Sequence, residues 1–211
     1  MSSRVHSALA EFDQAVREAQ AAIARLAEDL ERPAAVPDLL ARMFQLDQHL
    51  RSFCELPHER GFDADERVQF DELVRARWVP IDDSNTSVLK RILATHGWPT
   101  IGRFGHSADN NAWAIAQHAD HDRAFQREVL GILEPLVAIG DTAPAHHAYL
   151  FDRVAVAEAR PQRYGTQGRC VGPGCWEPRP IKDRDTVDER RVAVGLEPLA
   201  DYIATMNGFC R

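Results

Sequence analysis

Residues 112–133 read AWAIAQHADHDRAFQREVLGIL. Ala112, Ile115, Ala119, Phe125, Val129, Leu133 and then Leu136 follow helical spacing, the pattern of an amphipathic helix. Ser107 is a fitting N-cap, so the spacing predicts one helix from there to Leu136, with a short break near 119–122 as its one weak point. His118 and Asp122 fall inside the apolar stripe one turn apart, and Gln126 follows one turn later. A charged group buried without a partner is costly, so these side chains need partners. A His–Asp pair on one face suits a base with its orienting carboxylate, or two ligands of a metal, or a purely structural contact.

The rest of the chain reads in the same period. A helix is expected over 3–31, with Leu9, Phe12, Val16, Ile23 and Leu30 on one face, and another from Asp38 with Leu39, Met43, Leu46 and Leu50. A third runs over 63–77. Trp78-Val79-Pro80 then reads as an extended link, and Asp82 or Asp83 caps a fourth helix ending at His96 before Gly97. His146 to Ala159 is a further helix. Residues 162–181, QRYGTQGRCVGPGCWEPRPI, lack helical period and read as a β-hairpin or irregular cap, with two short helical segments after it. The expected fold is mainly α, a helical bundle with a small cap near the C-terminus. The organisation expected is an N-terminal helical appendage over 1–36 and a single α-helical domain over 37–211.

The chain of 211 residues carries a net charge of -7, which disfavours a nucleic-acid partner, since phosphate contact needs a basic face. The run Arg160 to Arg184 is locally basic and could hold one anion. No stretch is apolar enough to span a bilayer, so no membrane partner is expected. MSSRVHSALAEFDQAVREAQ shows no secretory pattern, and a cytoplasmic location is expected. Cys54, Cys170, Cys175 and Cys210 then read as thiols. The alternative is a metal knuckle of Cys170, Cys175, Cys210 and a histidine.

Other polar residues also occupy core-like positions: Asp47 and Arg51 beside Leu46 and Leu50, Asn85 in DDSNT, Asp152 and Arg153 in YLFDR, Tyr164 and Gln167 in RYGTQ, and Arg191 in DERR. Each alone has a plain reading as a helix salt bridge, an N-cap or a solvated face. Together they point to a polar pocket, because buried polar groups cluster where function requires them.

The order DQxxR (47–51), DxxNTxxLKxI (82–92), GWPT (97–100), QHADxDxxFQ (117–126), AYLxDR (148–153), PQxYGTQ (161–167) and VDxRRxxxGLxPLxxY (187–202) resembles a bacterial family catalogued as a domain of unknown function. The resemblance covers about residues 40–203 and omits the first helix and CVGPGCWEP. It carries no known reaction. It implies that His118, Asp120 and Asp122 form the centre of a site.

Three functions fit. One is an enzyme acting on a small polar or anionic molecule by hydrolysis, elimination or group transfer, without a redox cofactor. His118 would be acid and base, oriented by Asp122 or Asp120. Arg51, Arg153 or Arg191 would hold an anionic group, and Asp47, Asn85, Gln126, Asp152, Tyr164 and Gln167 would line the pocket. The second is a metal-dependent enzyme with a divalent ion on His118 and Asp122, helped by Asp120 and His146 or His147. The third is a non-catalytic binding module, for which the long first helix would suit a homodimer.

Overall fold

The computed structural model describes residues 2–210, and the chain divides into two compact units, 1–119 and 120–211. In the first unit α1 (Ser3–Glu28) starts on Ser2, whose hydroxyl accepts from the Val5 N–H. α2 (Val36–Ser52) and a short α3 (Leu56–Glu59) precede α4 (Ala64–His96), followed by α5 (Ile101–Phe104) and α6 (His106–Gln117). α2 packs against α1, α4 and α6, and α1 packs against α4 as well. The segment set apart in the sequence as an appendage therefore lies within this unit's packing. Phe12, Leu39, Met43, Leu50, Phe70 and Ile92 are fully or almost fully buried.

α4 corrects the expectation of two helices joined by an extended link. It is one helix of 33 residues with Pro80 inside it. A capping box starts it: Asp63 accepts from the Glu66 N–H, and Glu66 accepts from the Asp63 N–H. Gly97, at φ 73°, ends it. An internal proline costs about 3 kcal/mol through its missing N–H and its ring clash. Here Phe70, Val74, Ile81, Asn85, Val88 and Ile92 are all buried along one stripe that continues on both sides of the exposed proline. Burial of that stripe holds the helix together across the break in its hydrogen bonding.

The helix expected from Ser107 to Leu136 is corrected in the other direction. α6 stops at Gln117, and α7 (Arg123–Ala138) begins afresh in the second unit. His118 is the C-cap of α6, with φ -87° and ψ 0°. Asp122 is the N-cap of α7, and its carboxylate accepts from the Phe125 N–H at 3.0 Å. Aspartate is a poor interior helix residue and a good N-cap, so local chemistry overrode a continuous apolar period.

In the second unit α7 packs on α8 (Pro144–Ala157). A two-stranded antiparallel hairpin, β1 (Gly168–Gly172) and β2 (Cys175–Pro178), follows. A side chain at Gly168 would collide with the Trp176 ring and the Glu177 carbonyl, so glycine is required there. α9 (Val187–Ala193) and α10 (Leu199–Asn207) complete the unit, α10 packing against both β2 and α9. The fold is thus mainly α with one small hairpin, as its sequence implied. Cys170 and Cys210 form a disulfide across 40 positions, which corrects the reading of four thiols, and Cys54 and Cys175 are free. Among the described residues, no helix is long and apolar enough to cross a membrane.

Candidate functional site

In the first unit the site is built on α2. Asp47 and Arg51 stand one turn apart, beside buried Leu46 and Leu50, so the apolar face that packs the helix also carries them inward. Asp47 is 1% exposed. Its Oδ1 accepts from Arg51 Nη2 at 2.7 Å and from His118 Nδ1 at 2.9 Å. Its Oδ2 accepts from Arg51 Nε at 3.1 Å and from the Gln48 amide at 2.9 Å. α6 packs on α2, and this packing brings His118 to the carboxylate from the end of its helix. Trp78, on α4, stacks beneath the guanidinium, 4.9 Å from ring centroid to Cζ.

Burial pushes the Asp47 carboxyl up, but the hydrogen bonds and charges of His118 and Arg51 outweigh it and hold its pKa at about 2. The carboxylate is therefore ionised at any ordinary pH and acts only as an acceptor. Facing an acceptor-only carboxylate, Nδ1 is a donor, so the neutral imidazole carries its proton there. Arg51 spends Nε and Nη2 on Asp47, while Nη1 has no hydrogen-bond partner among the described residues. Its side chain is 33% exposed.

The second unit joins a different set. Asp120 receives both Nε and Nη2 of Arg153, at 2.8 and 2.7 Å, and the Gln126 amide at 3.2 Å. Arg153 also reaches Gln167 Oε1 at 3.4 Å. Asp120, Gln126, Arg153 and Gln167 are thus one hydrogen-bonded group, on a carboxylate whose side chain is 62% exposed.

Two residues expected to bind substrate, Asp152 and Arg191, hold the backbone. Asp152, 0% exposed, accepts from the N–H groups of Arg163, Tyr164 and Thr166 and from the Thr166 hydroxyl. Arg191, also 0% exposed, donates to the carbonyls of Glu197 and Tyr164 and stacks on Tyr202. Tyr164 is buried in a cluster with Ala148 and Leu196. Gly165 sits among them at φ 75°, where a Cβ would press on Ile181 and Leu199. Asn85 lines a groove of about 430 Å³ with residues of α1 and α4, and its Nδ2 is buried without a hydrogen-bond partner among the described residues.

Asp122 stands as a helix cap, and Asp47 is a carboxylate that meets His118 Nδ1. His146, named above as a possible metal ligand, is 8% exposed. Gln48 and Trp78 were missed. Gln48 stands inside DQxxR and could have been named. Trp78 was hidden by reading residues 78–80 as a link. Among the described residues, no group of three or more His, Cys, Asp or Glu side chains is placed to hold a metal.

No curated protein and no solved structure matches the chain. Residues 33–209 match the model of a family of unknown function, DUF6624, a range that begins after α1 and runs through the hairpin. With most of its length matched, the chain belongs to that uncharacterised family.

Proposed function

We propose that the chain is an enzyme acting on a small polar or anionic molecule, with His118 as its general base and acid. The observation that carries this reading is the shared oxygen: Asp47 Oδ1 takes His118 Nδ1 and Arg51 Nη2 together. A buried, permanently ionised carboxylate sets the tautomer and stabilises the imidazolium that forms when Nε2 takes a proton. Arg51 Nη1 is the donor for an anionic group on the substrate. The reaction class is hydrolysis, elimination or group transfer.

The same carboxylate–histidine pair is the arrangement that orients a metal-ligating histidine, and this favours a metal-assisted enzyme as the second reading. A bacterial, cytoplasmic protein fits the first reading. Such a compartment would hold Cys170 and Cys210 as thiols, whereas an oxidising one would keep their bond.

The test is a panel of small esters, amides and phosphomonoesters, turned over by wild type, His118→Ala and Asp47→Asn. Turnover should fall about 10²- to 10⁴-fold in His118→Ala, the usual contribution of a general acid–base group. Nitrogen NMR of the wild-type imidazole should show the Nδ1–H tautomer. Turnover that survives His118→Ala, or an Nε2–H tautomer, would sink the proposal. Elemental analysis of tag-free protein separates the two readings, since stoichiometric metal lost in His118→Ala selects the second.

A further inference from the structure

The basic run seen in the sequence forms a cleft of about 430 Å³ in the second unit, lined in part by Arg160, Arg163, Lys182, Asp183 and Arg190. Four cations meet there. Arg160 is paired with Glu158, at 2.6 Å. Arg190 has no carboxylate partner among the described residues. Its Nε donates to the Arg163 carbonyl, Nη2 to those of Lys182 and Asp183, and Nη1 to the Thr186 hydroxyl. Arg163 rests over the Tyr164 ring, and neither its guanidinium nor the Lys182 ammonium is held by an ion pair among the described residues. The carboxylates of Asp183 and Glu158 thus offset only part of the charge. This concentration of positive charge belongs to a chain whose net charge is -7.

The frame of the cleft is fixed before anything binds. Arg190 ties the backbone of 163 to that of 182 and 183, the two segments that carry the unpaired cations. Gln162 adds a second tie, its carbonyl accepting from the Lys182 N–H at 2.8 Å. Asp183 takes a left-handed backbone, φ 47°, a conformation that costs a non-glycine residue energy and persists only where neighbours enforce it. A forked guanidinium and a point-charge ammonium, held facing one cavity, suit an oxyanion carrying two negative charges. Phe151 and Pro161 complete the lining with an apolar wall.

We propose that this cleft binds a phosphate monoester, its phosphate on Arg163 and Lys182 and its organic group against Phe151 and Pro161. The assignment is independent of His118, because it asks for binding and for no proton transfer.

Calorimetric titration of the full chain with phenyl phosphate, inorganic phosphate and benzoate, at constant ionic strength set with sodium chloride, tests it. Phenyl phosphate should bind best, with the monoanion benzoate weaker by about tenfold, the loss expected for one charge-assisted contact. Lys182→Ala and Arg163→Gln should each weaken phenyl phosphate by about tenfold or more. The Lys182 ammonium holds no part of the fold, so that variant reports binding alone. His118→Ala should leave the affinity unchanged. Equal affinity in wild type and Lys182→Ala, equal affinity for benzoate and phenyl phosphate, or heat that follows ionic strength alone would each overturn the proposal.

Discussion

Asp47 and Asp152 are both buried, each receives four donor groups, and their carboxyls are pushed in opposite directions. At Asp47 burial raises the pKa, but donors from an arginine and a histidine bring charge and win. At Asp152 burial also raises it, and there it prevails over the hydrogen bonds of Thr166, Arg163 and Tyr164, three of which come from backbone N–H groups. Hydrogen-bond number does not separate the two; formal positive charge does. One carboxylate is organised to stay ionised between an arginine and a histidine. The other is organised to hang a loop from α8.

The sharpest way to break this contrast is Asp152→Ala. It removes the acceptor from three N–H groups and a hydroxyl in a buried loop, and each buried donor left unmade costs about 1–3 kcal/mol. Some of these groups will find water as the loop relaxes. The expected loss is about 4 kcal/mol in urea unfolding. A loss under about 1 kcal/mol would mean the loop hangs from Arg191, Tyr202 and Gln162 instead.

The secondary structure was legible where local chemistry and period agreed, as in α1, α2 and the hairpin. It failed at Pro80 and at residues 118–122, for opposite reasons. Proline announced a break that burial of the Phe70–Ile92 stripe overrode. At 118–122 an unbroken apolar period concealed a break that Asp122 makes as an N-cap. The candidate residues were legible as a set, because charged residues at core positions stand out. Their partners were not, since Asp47 and His118 are 71 positions apart, and only packing brings them together.

The Cys170–Cys210 bond was invisible for the same reason. Closing a loop of about 40 residues should stabilise the chain by about 4 kcal/mol through the unfolded state. Reduction, or Cys210→Ser, should lower the unfolding free energy of the second unit by that amount in urea titration, as followed by Trp176 fluorescence. Unchanged unfolding on reduction would show that the hairpin and α10 are held by Trp176 and Tyr202 packing alone.

The smallest effect is the most specific to the comparison. The Asp47 pKa of about 2 lies below its ordinary value of 3.8, so the folded state releases this proton more readily than the unfolded chain does. Its contribution is therefore full above the unfolded value and is lost as the pH falls through the folded one. At one pKa unit per 1.36 kcal/mol, the gap amounts to about 2 kcal/mol between pH 5 and pH 2. Asp152 has the opposite sign: its raised pKa means that stability increases as pH falls through the folded value and the carboxyl takes its proton. Urea unfolding of wild type and Asp47→Asn at both pH values isolates the first effect, because all other carboxylates cancel. Wild type should lose about 2 kcal/mol more than the variant on acidification. Parallel losses would mean that Arg51 and His118 no longer outweigh burial at Asp47. The two aspartates would then be equivalent buried acceptors, and the proposed role of His118 would lose the ionised partner it requires.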